Sequence, residues 1–245
     1  MRFVDSHLHL EEPDAADQLA LAGATGTLLL TCGVDRGTSL LGLRQAESFP
    51  ERVMAFVGLH PSQVLKEPGL GWLEQALVRA SGVGEIGLDP KYSDKERGSA
   101  QMKAFLAQLE AAEAAGKPVQ VHSRGTERDC LDSLASFSLD KVLMHWFQGE
   151  GLVEEVAERG YFMSFGPSLI YSKRLQRMAL QSPHGQVVTE TDSPIPFTPL
   201  GGVRGPSLVP SVVFKLSELW GERFEDTREA LAGNARRFLG QSEKG

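Results

Sequence analysis

Arg2-Phe3-Val4-Asp5-Ser6-His7-Leu8-His9 opens the chain with a short apolar run and then a turn carrying two imidazoles one residue apart. A doubly wound dinucleotide sheet would place a glycine-rich GxGxxG turn at this point, and Ser6-His7-Leu8-His9 cannot serve as one. Seven further β-branched or apolar runs follow: 25–31, 53–58, 83–86, 118–121, 141–144, 161–164 and 186–189. Most are continuously apolar, as in Gly26-Thr27-Leu28-Leu29-Leu30 and Val142-Leu143-Met144, the pattern of strands buried on both faces and therefore paired in parallel. Between them lie segments of helical period, over 13–22, 38–48, 70–80, 99–115, 126–137, 152–158, 172–179, 211–219 and 226–239. Met102, Phe105, Leu106, Leu109 and Ala112 keep the i, i+3, i+4, i+7 spacing, and Gly116 just ahead of a proline stops that helix. No Pro/Gly/Ser linker divides the 245 residues, so the expected fold is one α/β domain, a (β/α)8 TIM barrel.

Composition fits that reading and excludes several others. The chain is 41% hydrophobic with 26 glycines, close to an ordinary globular protein. With 25 Lys and Arg against 32 Asp and Glu, its net charge is −7, which argues against a protein that holds nucleic acid mainly through a basic surface. No run approaches a membrane span, and Met1-Arg2-Phe3-Val4-Asp5 lacks the apolar core of a signal peptide, so a cytoplasmic protein without a membrane partner is expected. Cys32 and Cys130 lie far apart outside any CxxC and read as buried small hydrophobes.

Five of the six histidines fall at or just past the C-terminal end of an expected strand: His7, His9, His60, His122 and His145. Glu85 and Asp192 join the same ring, and only His184 lies elsewhere. A lone histidine would read as structural. In a barrel, however, strand ends converge on one mouth, where clustered imidazoles and carboxylates are the ligand set of divalent transition metals. His7 and His9, at i and i+2, face the same side of a strand.

Seven segments carry a specific resemblance: Asp5-Ser6-His7-Leu8-His9, Gly58-Leu59-His60-Pro61, Gly84-Glu85-Ile86-Gly87-Leu88-Asp89, the stretch 118–124 (PVQVHSR), His145-Trp146-Phe147-Gln148-Gly149, Glu190-Thr191-Asp192-Ser193-Pro194 and Asn234-Ala235-Arg236-Arg237. The Gln101-x3-Phe105-x2-Gln108-Leu109 spacing adds to them. Together they resemble the TatD-type metal-dependent hydrolases of the amidohydrolase superfamily, typified by the TatD deoxyribonucleases, over nearly the whole of 1–245. The resemblance implies a TIM barrel with two divalent cations, one held by His7, His9 and Asp192 and the other by His122 and His145, with Glu85 bridging. It also implies hydrolysis of phosphodiester bonds in DNA, with single strands or ends as substrate and no protein partner. Four imidazoles favour zinc or manganese, and the resemblance allows magnesium as well.

Chemistry assigns roles within that set. Phosphodiester hydrolysis needs a nucleophile at neutral pH and neutralisation of the phosphoryl oxygens, which a two-metal site supplies. Asp192, with one oxygen free, is the expected general base. Glu85 joins it as a catalytic residue through its bridging position. His60 either touches the leaving oxygen of the substrate or orients its neighbours, the former being the expected role. Arg124, two residues after His122, either forks onto a phosphate or supports a ligating carboxylate. Asp89 reads as a hydrogen-bonding support. Lys173, Arg174 and Arg177 read as a solvated helix face or a track for a nucleic-acid backbone. Trp146 and Phe147 read as a base-stacking pair or as packing behind the site, and Trp146 stands where related sequences more often carry a small residue.

The loops at the mouth depart from the family pattern. Arg204-Gly205-Pro206-Ser207 is a short version without an Asn-Glu pair, and Gly166-Pro167-Ser168-Leu169-Ile170-Tyr171 replaces a serine- and glycine-rich stretch. Such loops set specificity in TIM barrels. An amidohydrolase acting on an amide, ester or lactone of a small molecule is therefore the alternative to a nuclease.

Overall fold

The computed structural model describes residues 2–241 apart from 12, 67, 68 and 94. Eight parallel strands pair in chain order: β1 Phe3–Leu8, β2 Thr27–Cys32, β3 Val53–Val57, β4 Gly82–Gly87, β5 Val119–His122, β6 Val142–Met144, β7 Phe162–Phe165 and β8 Val187–Thr189. Helices α1 Ala15–Thr25, α2 Arg36–Ser48, α3 Leu73–Leu77, α4 Lys95–Ala115, α5 Glu127–Leu134, α6 Val153–Glu158, α7 Lys173–Gln181 and α8 Val209–Trp220 return the chain between strands or, for α8, follow the last one, and α9 Phe224–Phe238 closes the described chain. This is the expected (β/α)8 barrel. Leu28, Leu30 and Cys32 alternate along β2 and share one apolar cluster with Val4, Phe56, Leu143, Phe162 and Val188. Strands as distant in the sheet as β2 and β6 meet only across the barrel interior, so these side chains fill it. Phe238 of α9 seals this interior, its ring 5.8 Å from Phe56 and 5.7 Å from Phe162.

The seam between β8 and β1 is closed largely by side chains. Thr189 Oγ1 donates to the Val4 carbonyl at 2.6 Å, and Thr191 donates to Asp5 through its backbone N–H at 2.8 Å and its hydroxyl at 2.6 Å. Beyond β8, Asp192 N–H donates to the His7 carbonyl at 3.0 Å and His9 N–H to the Ser193 carbonyl at 2.7 Å. The closing contacts thus bring the end of β1 and the segment carrying Asp192 into one place.

Element boundaries differ from the sequence expectation where polar residues are buried. β1 runs on to Leu8, with Asp5, Ser6 and His7 enclosed by the barrel, where Asp5 accepts from Thr191 and His7 Nδ1 bonds to Gln120. β4 continues to Gly87, so Glu85 sits inside the strand and not at its end. Gly87, at φ 144°, lets β4 pass against β5, since a Cβ there would fall 1.9 Å from the His122 carbonyl oxygen. The helix expected over 70–80 shortens to α3, whose buried face is only Leu73, Ala76 and Leu77. Gly116, at φ 60°, ends α4 as expected.

Candidate active site

All seven residues expected at the mouth meet there. His9, His60, Glu85, His122, His145 and Asp192 line one end of a cavity of about 770 Å3, with Arg124 at its rim, and His7 lies buried behind them against Glu85 and Asp192. His184 lies apart, ahead of β8, stacked 4.0 Å from Trp220 and bonded to Glu222.

Glu85 is the centre of the arrangement. Its Oε1 lies 2.6 Å from His122 Nδ1, 3.3 Å from His145 Nε2 and 3.7 Å from His60 Nε2. Its Oε2 lies 3.6 Å from His7 Nε2 and 3.5 Å from His9 Nε2. The two oxygens of one carboxylate therefore face two different groups of imidazoles. Asp192 Oδ1 completes the second group, 3.6 Å from His7 Nε2 and 3.4 Å from His9 Nε2.

The far side of each ring decides which nitrogen is free. His7 donates from Nδ1 to Gln120 Oε1 at 2.7 Å, His9 from Nδ1 to the Cys32 carbonyl at 2.9 Å, and His145 from Nδ1 to Glu190 Oε2 at 2.9 Å. In the neutral form of each, the lone pair falls on Nε2, which points at the carboxylates. His122 is reversed: Asp89 Oδ2 accepts from its Nε2 at 2.8 Å, and Nδ1 faces Glu85. His60 differs again, because its Nδ1 accepts from the Ser62 backbone N–H at 3.1 Å, so its proton sits on Nε2.

These nitrogens and oxygens suit a divalent cation. His7 Nε2 is fully buried with no hydrogen-bond partner, and its carboxylate neighbours stand too far away to bond directly. Four ligands at about 2.1 Å in a tetrahedron lie roughly 3.4 Å from one another, close to the spacing of His7, His9 and Asp192. His7, His9 and Asp192 form one such group, His7, Glu85 and His145 a second, and His60, Glu85 and His122 a third, with the donor atoms within 4.8 Å of one another in each. The residues fit the metal.

Charge balance follows from the packing. Burial opposes protonation of His9, but Asp192 and Glu85 outweigh it and hold its pKa at about 9. Burial likewise opposes protonation of His122 and His145, whose values are nevertheless raised, by Glu85 and Asp89 for the former and by Glu190 and Glu85 for the latter. Burial would raise Glu85 and Asp192, yet the surrounding imidazoles hold both below the ordinary carboxylate range. His60 goes the other way: burial, helped by the positive neighbours His122 and His9, lowers it to about 4, so it is neutral at pH 7. Asp5, buried at the seam beside Glu190, is pushed up to about 8 despite the bonds from Thr191.

The supporting residues were legible only in part. Asp89 is the expected support, and it holds Arg124 as well as His122, with Arg124 Nη2 2.6 Å from Oδ2 and its guanidinium 5.5 Å from the Tyr92 ring centre. Gln120 lies two residues before His122 on β5 and shares its face, a signal present in the sequence but not read as a role, whereas Glu190 lies just past β8, where no strand spacing marks it. On α4, Gln108 accepts from Leu59 N–H at 2.6 Å and donates to its carbonyl at 3.1 Å, and Gln101 does the same for Asp89 at 3.0 Å in each direction. These two amides fix the backbone beside His60 and under His122. Phe147 is buried packing, whereas Trp146 lines the cavity. The basic trio divides: Arg177 is paired with Glu150 at 2.7 Å, Lys173 donates to Gln176, and Arg174 alone of the three lines the cavity, where it is bonded to Gln148. Arg204 is held 3.2 Å from Asp14, beside α1.

Trp146 at φ 41° and Asp192 at φ 51° are left-handed non-glycine residues, and both lie at this mouth. Each such conformation costs on the order of 1–3 kcal/mol, which surrounding contacts must offset.

A family model described as TatD related DNase matches residues 4–240. The chain belongs to the TatD family. It is 29% identical to an uncharacterized metal-dependent hydrolase TatD of Mycobacterium tuberculosis, over 97% of each chain. It is 30% identical to the human deoxyribonuclease TATDN3, over 78% of this chain and 77% of that one. The solved structure of YJJV, a TatD homologue from Escherichia coli, superposes with a TM-score of 0.89 at 26% identity, covering 98% of this chain and 99% of that one. This TatD-family protein is thus a metal-dependent hydrolase, and its His/Glu/Asp cluster is the candidate metal-binding site. Among the described residues, no helix is long and apolar enough to cross a membrane.

Proposed function

We propose that this TatD-family hydrolase is a deoxyribonuclease that cleaves phosphodiester bonds at single strands or ends. His7, His9 and Asp192 would hold one divalent cation and His122 and His145 the other, with Glu85 bridging; zinc, manganese or magnesium suit these donors. The observation that carries the reading is the division of Glu85, Oε2 toward His7 and His9 and Oε1 toward His122 and His145. Bound there, divalent cations would supply charge neutralisation at the phosphoryl group and a more acidic attacking water. Asp192, with Oδ1 on the imidazole side, takes the proton of that water. His60, neutral with its proton on Nε2, would donate a hydrogen bond to the charge that develops on the leaving oxygen. Arg124, aimed by Asp89 and half-exposed at the rim, receives a phosphate oxygen.

The test is metal-dependent release of nucleotides from an end-labelled single-stranded oligodeoxynucleotide, run beside a panel of esters, amides and lactones. Nucleotide release that stops on chelation and returns with metal is expected. Turnover confined to the carbonyl panel would replace the nuclease reading by that of a small-molecule amidohydrolase.

A further inference from the structure

A second cavity of about 150 Å3 opens beside the main one, and Trp146, Asp192 and Ile195 belong to both. The main cavity lies within the range of about 300–1,000 Å3 usual for small-molecule sites; the side cavity lies below it, the size of a subsite. One wall is aromatic and apolar. Trp146, Tyr171 and Phe197 line it, and the last two rings are 5.7 Å apart at 23°. Tyr171 and Ile195 are about half exposed, so the apolar surface is reachable from solvent. No lysine or arginine lines the cavity, so it holds no cationic side chain for a phosphate.

Ser168, Glu190, Thr191, Asp192 and Thr198 also line the cavity, and of these Glu190 carries a buried acceptor with no partner. Its Oε2 is taken by His145 while its Oε1 is buried without a hydrogen-bond partner. A buried acceptor left unpaired is unusual and calls for a donor. An aromatic wall facing an unpaired carboxylate oxygen matches a planar heterocycle carrying an N–H group. Trp146 and the stretch Gly166 to Tyr171 are also the places where the sequence departs from the pattern it otherwise resembles.

We propose that this side cavity seats one unpaired nucleobase of the nucleotide adjoining the scissile phosphate, stacked on the Trp146, Tyr171 and Phe197 wall with its N–H edge toward Glu190. The proposal rests on the phosphodiester reading and adds what the enzyme recognises besides phosphate. A paired base cannot enter, because its donor edge is taken by its partner and a pair exceeds the cavity. The site therefore selects single strands and frayed ends through the base and not through the backbone.

The test combines a change of substrate with a change of protein. Single-stranded oligodeoxynucleotides with one abasic residue at successive positions are compared with the intact strand on metal-loaded wild type, Tyr171→Ala and Trp146→Gly. Glycine keeps the left-handed backbone at 146, and Tyr171 is exposed enough for its variant to fold. Fluorescence anisotropy with phosphorothioate strands reads affinity, and nucleotide release from normal strands reads KM. One base on an aromatic platform changes affinity by about 5- to 150-fold. A loss of that size is expected at one abasic position in wild type, with no further loss there in Tyr171→Ala, because substrate and protein then lack the same contact. Equal affinity of wild type for intact, abasic and fully paired strands would overturn the subsite even if nucleotides are released. Base-dependent binding without nucleotide release would leave the subsite standing and remove the nuclease reading. No binding by wild type would overturn both.

Discussion

The backbone N–H of Ser62 donates to Nδ1 of His60 at 3.1 Å, with the Ser62 hydroxyl 2.8 Å from the same nitrogen. An N–H can only donate, so the His60 proton is fixed on Nε2, the atom that faces Glu85 Oε1 at 3.7 Å. A ring whose inward nitrogen carries a proton when neutral acts on substrate as a donor, unlike His7, His9 and His145, which when neutral carry the lone pair on the inward nitrogen.

His60→Ala should therefore lower turnover on a nucleotide leaving group by about 10²–10³-fold, the usual contribution of one positioned hydrogen-bond donor to a developing oxyanion, with metal content unchanged. On a nitrophenyl phosphodiester, whose leaving group needs no such donor, the loss should nearly vanish. Equal losses on the two substrates, or loss of metal from the variant, would show that His60 is a ligand or a structural support.

Asp192→Asn removes the basic oxygen while keeping the shape, and asparagine tolerates the φ of 51° as readily as aspartate. Turnover should fall by at least about 10²-fold with metal retained at His122 and His145. Glu85→Gln should differ, because weakening the residue that faces both imidazole groups releases metal, and activity should then respond to added cation. Elemental analysis beside turnover separates the two variants. Near-normal turnover of Asp192→Asn with full metal content would move the base to another group.

Metal removal should reverse the pH dependence of the site. In the metal-free protein His9 keeps its proton up to about pH 9, whereas an unfolded histidine loses it near 6.5. The folded state then holds the extra proton, so stability is full below about pH 6.5 and falls as pH rises toward 9, by about 1.4 kcal/mol per unit for each proton. The raised Asp5, His122 and His145 act in the same direction, and His60, lowered to about 4, acts oppositely only below about 6.5. Urea denaturation of chelated protein at pH 6.5 and 8.5 measures this. Cation binding should release protons and tighten with rising pH across the same window, as followed by calorimetry in two buffers. Metal affinity independent of pH would contradict ligation by these imidazoles.

Gln108→Leu is close in volume and leaves the Leu59 N–H and carbonyl, both buried, without partners. Each orphaned group costs about 1–3 kcal/mol, so a destabilisation of about 2–5 kcal/mol is expected in urea. Because Leu59 precedes His60, turnover of the folded variant should fall as well. Unchanged stability would mean that water replaces the amide.

The barrel was legible because a strand covered on both faces must be apolar throughout, so runs such as 26–30 and 142–144 announce themselves without tertiary information. Boundaries were less legible at β1 and β4, where Asp5, His7 and Glu85 interrupt the apolar run; a buried polar residue resembles a loop until its partners are known.

The sequence by itself determined the barrel and the identity of the residues at its mouth, because strand order and strand ends are local properties and a barrel sends all its strand ends to one face. It also determined the family, through motifs that lie at those ends. Only the tertiary structure decided the role of each nitrogen and oxygen. Whether an imidazole offers a lone pair or a proton depends on what bonds its other nitrogen, and those partners come from elsewhere in the chain: Gln120 for His7, Glu190 for His145, Asp89 for His122. Ser62 is near His60 in sequence, but only the folded turn shows which of its atoms donates. Arg177 and Arg174, three residues apart on one helix, likewise received different partners from the loop that packs against them. Spacing places side chains on a face, and packing sets which partner each one meets.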